Sequence, residues 1–184
     1  MTSFKSIKFS MTIGLVALTT NSLFSQDTNL FKEINTQVWE NFEKAFASND
    51  VELLLSIHST NIIRIPADKQ VVVTGQEYFN SQVKSFQWVT ENNYQTEINL
   101  RFTERICNNE IASEIGIYKY KVVDNENEIR YYYGKFHVLL EKKNDSWKIL
   151  MDYDNSENNS ITEEHFKHAY SKYKFEPFLR KEPE

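Results

Sequence analysis

The chain has 184 residues, with 21 Lys and Arg against 26 Asp and Glu, giving a formal net charge of −5 at pH 7. This acidic balance offers no net positive field to displace counterions from a phosphate backbone, which argues against nonspecific nucleic-acid binding. Four glycines and a single cysteine, Cys107, exclude glycine-rich phosphate loops, an intramolecular disulfide and multi-cysteine metal sites, while 40% hydrophobic and 14% aromatic residues exclude a disordered chain.

Lys5 and Lys8 precede the mainly apolar run Met11 to Leu18, and Leu23-Phe24-Ser25-Gln26 follows. A basic start, a short apolar core and a small residue near the end read as a secretory signal over residues 1–25. The run falls short of the roughly 20 residues that span a bilayer. A secreted or periplasmic product without a stable membrane anchor is therefore expected; the alternative is a plain N-terminal tail. No cysteine follows closely to accept a lipid.

Phe31, Ile34, Val38, Phe42, Ala45 and Phe46 recur at helical spacing, with Asp27 or Thr28 to cap the start and Ser48-Asn49 to break it. Asn49 then reads as the N-cap of a short second helix with Val51, Leu54, Leu55 and His58 on one face. His58 there is most simply a packed histidine. The β-branched run Asn61 to Ile65 ends at Pro66 as a short edge strand, with Val71 to Val73 as its partner. Gly75 opens a third helix whose apolar face would be Phe79, Val83 and Phe86.

From Tyr94 the period becomes two. Thr96, Ile98, Leu100, Phe102, Glu104 and Ile106 alternate with polar neighbours, and Asn108-Asn109, 124–127 and 142–146 supply turns between four long strands. The pattern predicts an α+β fold, a curved antiparallel sheet packed on three N-terminal helices. The expected domain covers 27–157. Residues 158–184 follow as an extra amphipathic helix over Thr162 to Tyr173 (Phe166, Ala169, Tyr170, Tyr173) and a polar tail after Pro177.

The order of these elements, with Trp39 and Ala45 on helix one, Asn49-Asp50-Val51-Glu52, and Pro66 before Gly75-Gln76-Glu77, resembles the cone-shaped nuclear-transport-factor-2-like superfamily. Ala112 to Tyr118, Gly134-Lys135-Phe136, Trp147-Lys148-Ile149 and Asp152 to Ser156 add to the likeness, which is greatest for SnoaL-like and calcium/calmodulin-kinase-association-domain-like members. The resemblance implies a conical pocket open at one end. Members include ketosteroid isomerase-like and polyketide cyclase-like enzymes, dehydratases, and noncatalytic binding or assembly domains, so the fold alone does not settle activity. It also implies that the outer sheet face can make a homodimer, and it calls for no cofactor.

With Ala112 and Gly116 facing inward, as the resemblance implies, Glu114, Tyr118 and Tyr120 share that face. Arg130, Tyr132, Gly134 and Phe136 form the favoured inward set on the next strand. On the last strand Leu150, Asp152 and Asp154 alternate together, opposite Trp147, Ile149, Met151 and Tyr153. Glu114, Asp152 and Asp154 are thus the candidate catalytic carboxylates, and Trp39, Tyr118, Tyr132 and Phe136 the candidate ligand-binding residues. A desolvated carboxylate is a competent base near neutral pH, and a tyrosine beside it can donate to an enolate oxygen. The plainer reading is that these carboxylates make structural hydrogen bonds or pair with Arg130 or Arg64. No Asp–His pair falls on adjacent inward positions, against a cyclase-like mechanism, and His137 lies on the opposite face.

Two metal-like patterns do not lead to a metal. Asp152, Asp154, Ser156, Asn158, Ser160 and Glu163 take calcium-loop spacing, but Glu157 stands where the turn needs glycine. His165 and His168 lack a third ligand and suit a solvated helix face. The expected function is a secreted domain that binds a small apolar or ring-containing ligand. The alternatives are an isomerase-, dehydratase- or cyclase-type enzyme and a homodimeric assembly module.

Overall fold

The computed structural model describes residues 27–179. The export segment expected over 1–25 and the end of the polar tail, 180–184, lie outside the described residues. Helix α1 runs over 27–48, with a π-helical stretch at Asn35–Trp39 that turns Asn35, Val38 and Trp39 into the core, and α geometry again over Glu40–Ser48. Asn49 ends α1 in the left-handed conformation (φ 52°) and does not cap the next helix. Asp50 does so, its carboxylate accepting from Leu53 N at 2.9 Å at the start of α2 (Val51–Ser56). Asn49 instead spends its amide on Phe86 O and Thr90 Oγ1, tying the α1 end to the third helix.

Strand β1 (His58–Pro66) begins at His58, three residues earlier than expected, so the histidine lies in a strand and is buried. A two-residue β2 (Val73–Thr74) pairs with Ile63 and Arg64, so β1 is not an edge. Helix α3 (Gly75–Glu91) starts at Gly75 (φ 48°) and buries Tyr78, Phe86 and Val89. Val83 is 42% exposed: the buried face is turned toward Tyr78 from the one expected, because α3 meets the protein through β1 and α2.

The four long strands are β3 (Gln95–Cys107), β4 (Ile111–Val123), β5 (Ile129–Lys143) and β6 (Ser146–Asn155), joined as an antiparallel meander. With a two-residue β7 (Tyr170–Ser171), the whole sheet has seven strands in the order β2-β1-β6-β5-β4-β3-β7. It is mixed, since β1 pairs with β6 in parallel. No hairpin joins those two strands, so no turn imposes an antiparallel arrangement on them. The fold is therefore α+β as expected, with a parallel pair where an all-antiparallel sheet was anticipated.

Two bulges change which side chains face the core. One sits at Thr103, between Phe102↔Gly116 and Glu104↔Ile115, and inverts the rest of β3. Arg105 and Cys107 turn inward while Ile106, expected inside, is 60% exposed. The other sits at Leu150, between Leu140↔Ile149 and Leu139↔Met151. It lets Trp147 and Ile149 share the inner side with Asp152 and Asp154, which strict alternation separates.

The C-terminal helix α4 (Glu163–His168) is only six residues long. Tyr170 belongs to β7 (Tyr170–Ser171), which pairs with Arg101 and Phe102 at the edge of β3. A short 3-10 turn, Glu176–Phe178, follows, and Phe175 and Phe178 pack on Phe31. The expected single helix over Thr162 to Tyr173 is thus a helix, a strand and a strap, because an open sheet edge on β3 recruits Tyr170 and Ser171 as ladder partners.

Candidate functional site

Between α1, α3 and the inner sheet face lies a cavity of about 390 Å³. One end is apolar, walled by Trp39, Phe42, Phe46, Leu100, Phe136 and Val138. Trp39 meets Phe102 at 5.5 Å and Phe136 at 6.0 Å between ring centroids, in tilted contacts that fix the wall. Lys69 and Ser85 are exposed lining residues and mark the open side.

Gly116 and Gly134 make this interior. A Cβ on Gly116 would stand 2.0 Å from Arg101 O and 2.5 Å from the Phe136 ring; one on Gly134 would stand 2.5 Å from the Tyr118 hydroxyl. Both aromatic rings lie flat across the neighbouring strand where a side chain is missing.

The other end of the cavity is polar. Arg64 on β1 reaches across the parallel ladder to β6, where its Nε lies 3.5 Å from Asp152 Oδ2 and its Nη2 lies 2.5 Å from Asp154 Oδ1. Arg64 Nη1 also donates to the Asp152 carbonyl at 3.2 Å. Asp154 Oδ1 is thus buried against the guanidinium in an ion pair. Burial raises the Asp154 carboxyl, with Asp152 and Asp68 adding to the rise, while Arg64 pulls it down.

Two tyrosines complete this end. Tyr78 from α3 bonds His58 Nε2 at 3.0 Å, and His58 Nδ1 meets the Leu54 carbonyl at 2.7 Å. A carbonyl only accepts, so Nδ1 carries the proton. Burial lowers His58 to about 4, which keeps the ring neutral and leaves Nε2 to accept from the Tyr78 hydroxyl. Burial also pushes Tyr78 up, and Tyr118 up to about 12, with Asp154 contributing to the Tyr118 shift by charge and hydrogen bond.

Of the residues singled out in the sequence, Trp39, Tyr118, Phe136, Asp152 and Asp154 line this cavity. Glu114 does not. Its Oε1 accepts from Arg105 Nε at 2.9 Å, its Oε2 accepts from Trp39 Nε1 at 2.5 Å, and the group is wholly buried behind the aromatic wall. Tyr132 is 48% exposed and touches the site only through Tyr120, at 6.5 Å between rings. Arg130 pairs with Asp124 and Glu128 at the far end of β5, so the carboxylates find Arg64 and Arg105 as partners instead.

Sequence reasoning missed Tyr78 as a lining residue and Arg105 altogether. Tyr78 had a signal, since 78, 82, 86 and 89 also follow helical spacing. Arg105 had none, because its inward position exists only after the Thr103 bulge. The calcium-like spacing from Asp152 to Glu163 does not close into a site: among the described residues no group of three metal-binding side chains is found.

Solved structures share this architecture. A nuclear-transport-factor-2-like protein of unknown function from Shewanella oneidensis MR-1 aligns with TM-score 0.56 and 21% identity, over 67% of this chain and 96% of that one. A nuclear-transport-factor-2-like superfamily protein from Salmonella enterica serovar Typhimurium aligns with TM-score 0.52 and 11% identity, over 71% and 90%. One of unknown function from Pseudomonas putida KT2440 aligns with TM-score 0.53 and 11% identity, over 70% and 87%. The chain therefore has the nuclear-transport-factor-2-like fold, as its sequence elements implied. No protein-family model matches the sequence, and no curated protein does.

Proposed function

We propose that this domain binds a small ring-containing ligand in the cavity between α1, α3 and the sheet. The carrying observation is the division of one cavity into an aromatic wall and a charged end built by Arg64, Asp152 and Asp154. Apolar walls supply binding energy without direction, and a few fixed polar groups orient what enters. Lys5, Lys8 and the apolar run Met11 to Leu18 support export of the chain, so the ligand would be met outside the cytoplasm.

A thermal-shift screen of ring compounds on the wild type and on Leu100→Trp, which fills the cavity from β3, tests this. A ligand at about 100 times its Kd stabilises the fold by about 2.7 kcal/mol. That shift should appear in the wild type and vanish in the filled variant. A panel of naphthalene- and indole-sized compounds that shifts neither protein, or both equally, refutes the reading.

One observation favours a second reading, proton transfer. Asp154 is a cavity carboxylate held above its ordinary range beside Tyr118, as a general base requires. Glu114 has no part in it, both oxygens being engaged. Exchange of an acidic C–H for deuterium in a bound ketone, lost in Asp154→Asn, is its signature.

A further inference from the structure

The C-terminal segment builds a second concavity, on the outer side of the sheet. Helix α4 lies over that face, where Ile117, Tyr133, Ile161, Phe166 and Ala169 form a small core apart from the main one. Beside it is a groove of about 450 Å³, floored by the outward residues of β3 and β4 and walled by Phe166, Ser171 and Lys172. Only Leu100 lines both this groove and the inner cavity, so the two spaces are distinct.

Six of the eleven lining residues are charged: Arg101, Lys119, Lys121 and Lys172 against Glu43 and Glu97. Two of the cations hold the walls. Lys119 donates to Glu163 at 2.8 Å, fastening α4 to the sheet, and Lys172 donates to Glu43 at 2.5 Å, fastening the strap to α1. The other two have donors to spare. Arg101 lies over the Phe166 ring at 5.1 Å and gives Nη1 to the Lys167 and Ala169 carbonyls, at 3.1 and 3.3 Å. Among the described residues it meets no carboxylate, and its Nε and Nη2 have no acceptor. Lys121 Nζ is 3.8 Å from Glu97, beyond hydrogen-bond reach. Even with Glu163 counted, four cations face three carboxylates here, in a chain whose net charge is −5.

A guanidinium without a counter-charge and a loosely paired ammonium are donors for anions. In register Arg101 is opposite Ile117, four residues before Lys121 on β4, so the two backbones are about 13 Å apart along the strand. Tyr131 is opposite Lys121, and its ring is 48% exposed, offering apolar surface at that end. The Asn99 amide and the Ser171 hydroxyl both give and accept hydrogen bonds, as hydroxylated ligands require. We infer that this groove binds an acidic oligosaccharide about two sugars long, with one acidic group on Arg101, the next on Lys121 and a sugar ring against Tyr131. The inference does not rest on the inner cavity being a ligand site, and either can fail alone. Neutral or wholly apolar compounds are selected against, because they would cover Arg101 without supplying its missing charge.

Three probes test it by calorimetry with the purified protein: digalacturonate, lactose as a neutral disaccharide, and glutarate as a dicarboxylate without sugar rings. Digalacturonate should bind about tenfold or more tighter than either, as charge-assisted hydrogen bonds added to ring contacts imply. Arg101→Gln and, separately, Lys121→Gln should each weaken it by about tenfold, with circular dichroism confirming the fold. Lys121→Gln is the cleaner of the two, because Lys121 makes no hydrogen bond that the fold would miss. Lactose binding as well as digalacturonate overturns the role of charge, and glutarate doing so overturns the sugar. Digalacturonate binding unchanged in both variants overturns the location, and no binding at all overturns the inference outright.

Discussion

Arg105 and Glu114 stand directly opposite each other on β3 and β4, with two guanidinium nitrogens 2.9 Å from one carboxylate oxygen and neither side chain exposed. The pair joins four parts of the chain. The guanidinium lies between the Phe31 and Phe102 rings, at 4.8 and 4.5 Å, and it also donates to Asn35 Oδ1 and to the Lys172 carbonyl. The other Glu114 oxygen holds Trp39. A carboxylate that sequence parity aims at the pocket is in fact the anchor of the wall behind it.

Glu114→Ala should therefore destabilise the protein by about 3–5 kcal/mol, because it leaves Arg105 charged and unpaired inside the core. The double variant Glu114→Leu with Arg105→Met should recover most of that loss, since an apolar pair needs no desolvated charge. Urea denaturation reads both as shifts in midpoint at constant slope. A single variant with an unchanged midpoint contradicts the anchoring role.

The C-terminal strap is held by the same cluster. The Lys172 carbonyl accepts from both Asn35 Nδ2, at 2.7 Å, and Arg105 Nη1, at 3.0 Å, while Phe175 stacks on Phe31. Phe175→Ala should cost about 1–2 kcal/mol, below the 3–5 typical of a fully buried ring because Phe175 is half-buried. Truncation after Ala169 should cost more, since it also orphans two buried donors. Thermal melts of the two proteins against wild type decide the order.

The architecture was legible because it is written in periods that bulges barely disturb. Gly75 at the start of α3 and the three hairpin turns follow from spacing, the inward set of β4 from spacing together with the resemblance that puts Ala112 and Gly116 inside, and the inner-face glycines sit where rings cross. The site was only partly legible, because its chemistry depends on parity. One extra residue at Thr103 places Arg105 against Glu114, and another at Leu150 lets Ile149 and Asp152 face the same way. A bulge leaves no signature in a pattern of two that continues on both sides of it. Arg64 was visible as a partner for a carboxylate, but the parallel pairing of β1 with β6 is a long-range fact that no local pattern carries.

Gly116→Ala should destabilise by about 1–3 kcal/mol or more, since the new methyl meets a backbone carbonyl that cannot swing away. Gly134→Ala differs in kind. Its methyl meets the Tyr118 ring, a side chain that can move, so the main effect should be on the cavity. Near-ultraviolet circular dichroism should register a displaced tyrosine in Gly134→Ala, with a smaller stability loss than in Gly116→Ala. The opposite ranking would mean that the ring, not the carbonyl, is the rigid neighbour.

His58 gives the fold a defined acid sensitivity. Its value falls from 6.5 to about 4 on folding, first because burial disfavours the charged ring, with Arg64 and Lys148 adding to the effect. On acidification the unfolded chain therefore takes up this proton before the folded one does. The stability supplied by the neutral ring is fully present above pH 6.5, falls by about 1.4 kcal/mol per pH unit through the window, and is spent near pH 4, a total of about 3 kcal/mol. Asp154 acts in the opposite sense, since its raised folded value makes the native state the stronger proton binder. Comparison with His58→Asn, which keeps a donor for the Leu54 carbonyl, cancels that contribution. Urea titrations from pH 7 to pH 4 should show the wild type losing about 3 kcal/mol more than the variant, and parallel profiles would assign the acid sensitivity to another group.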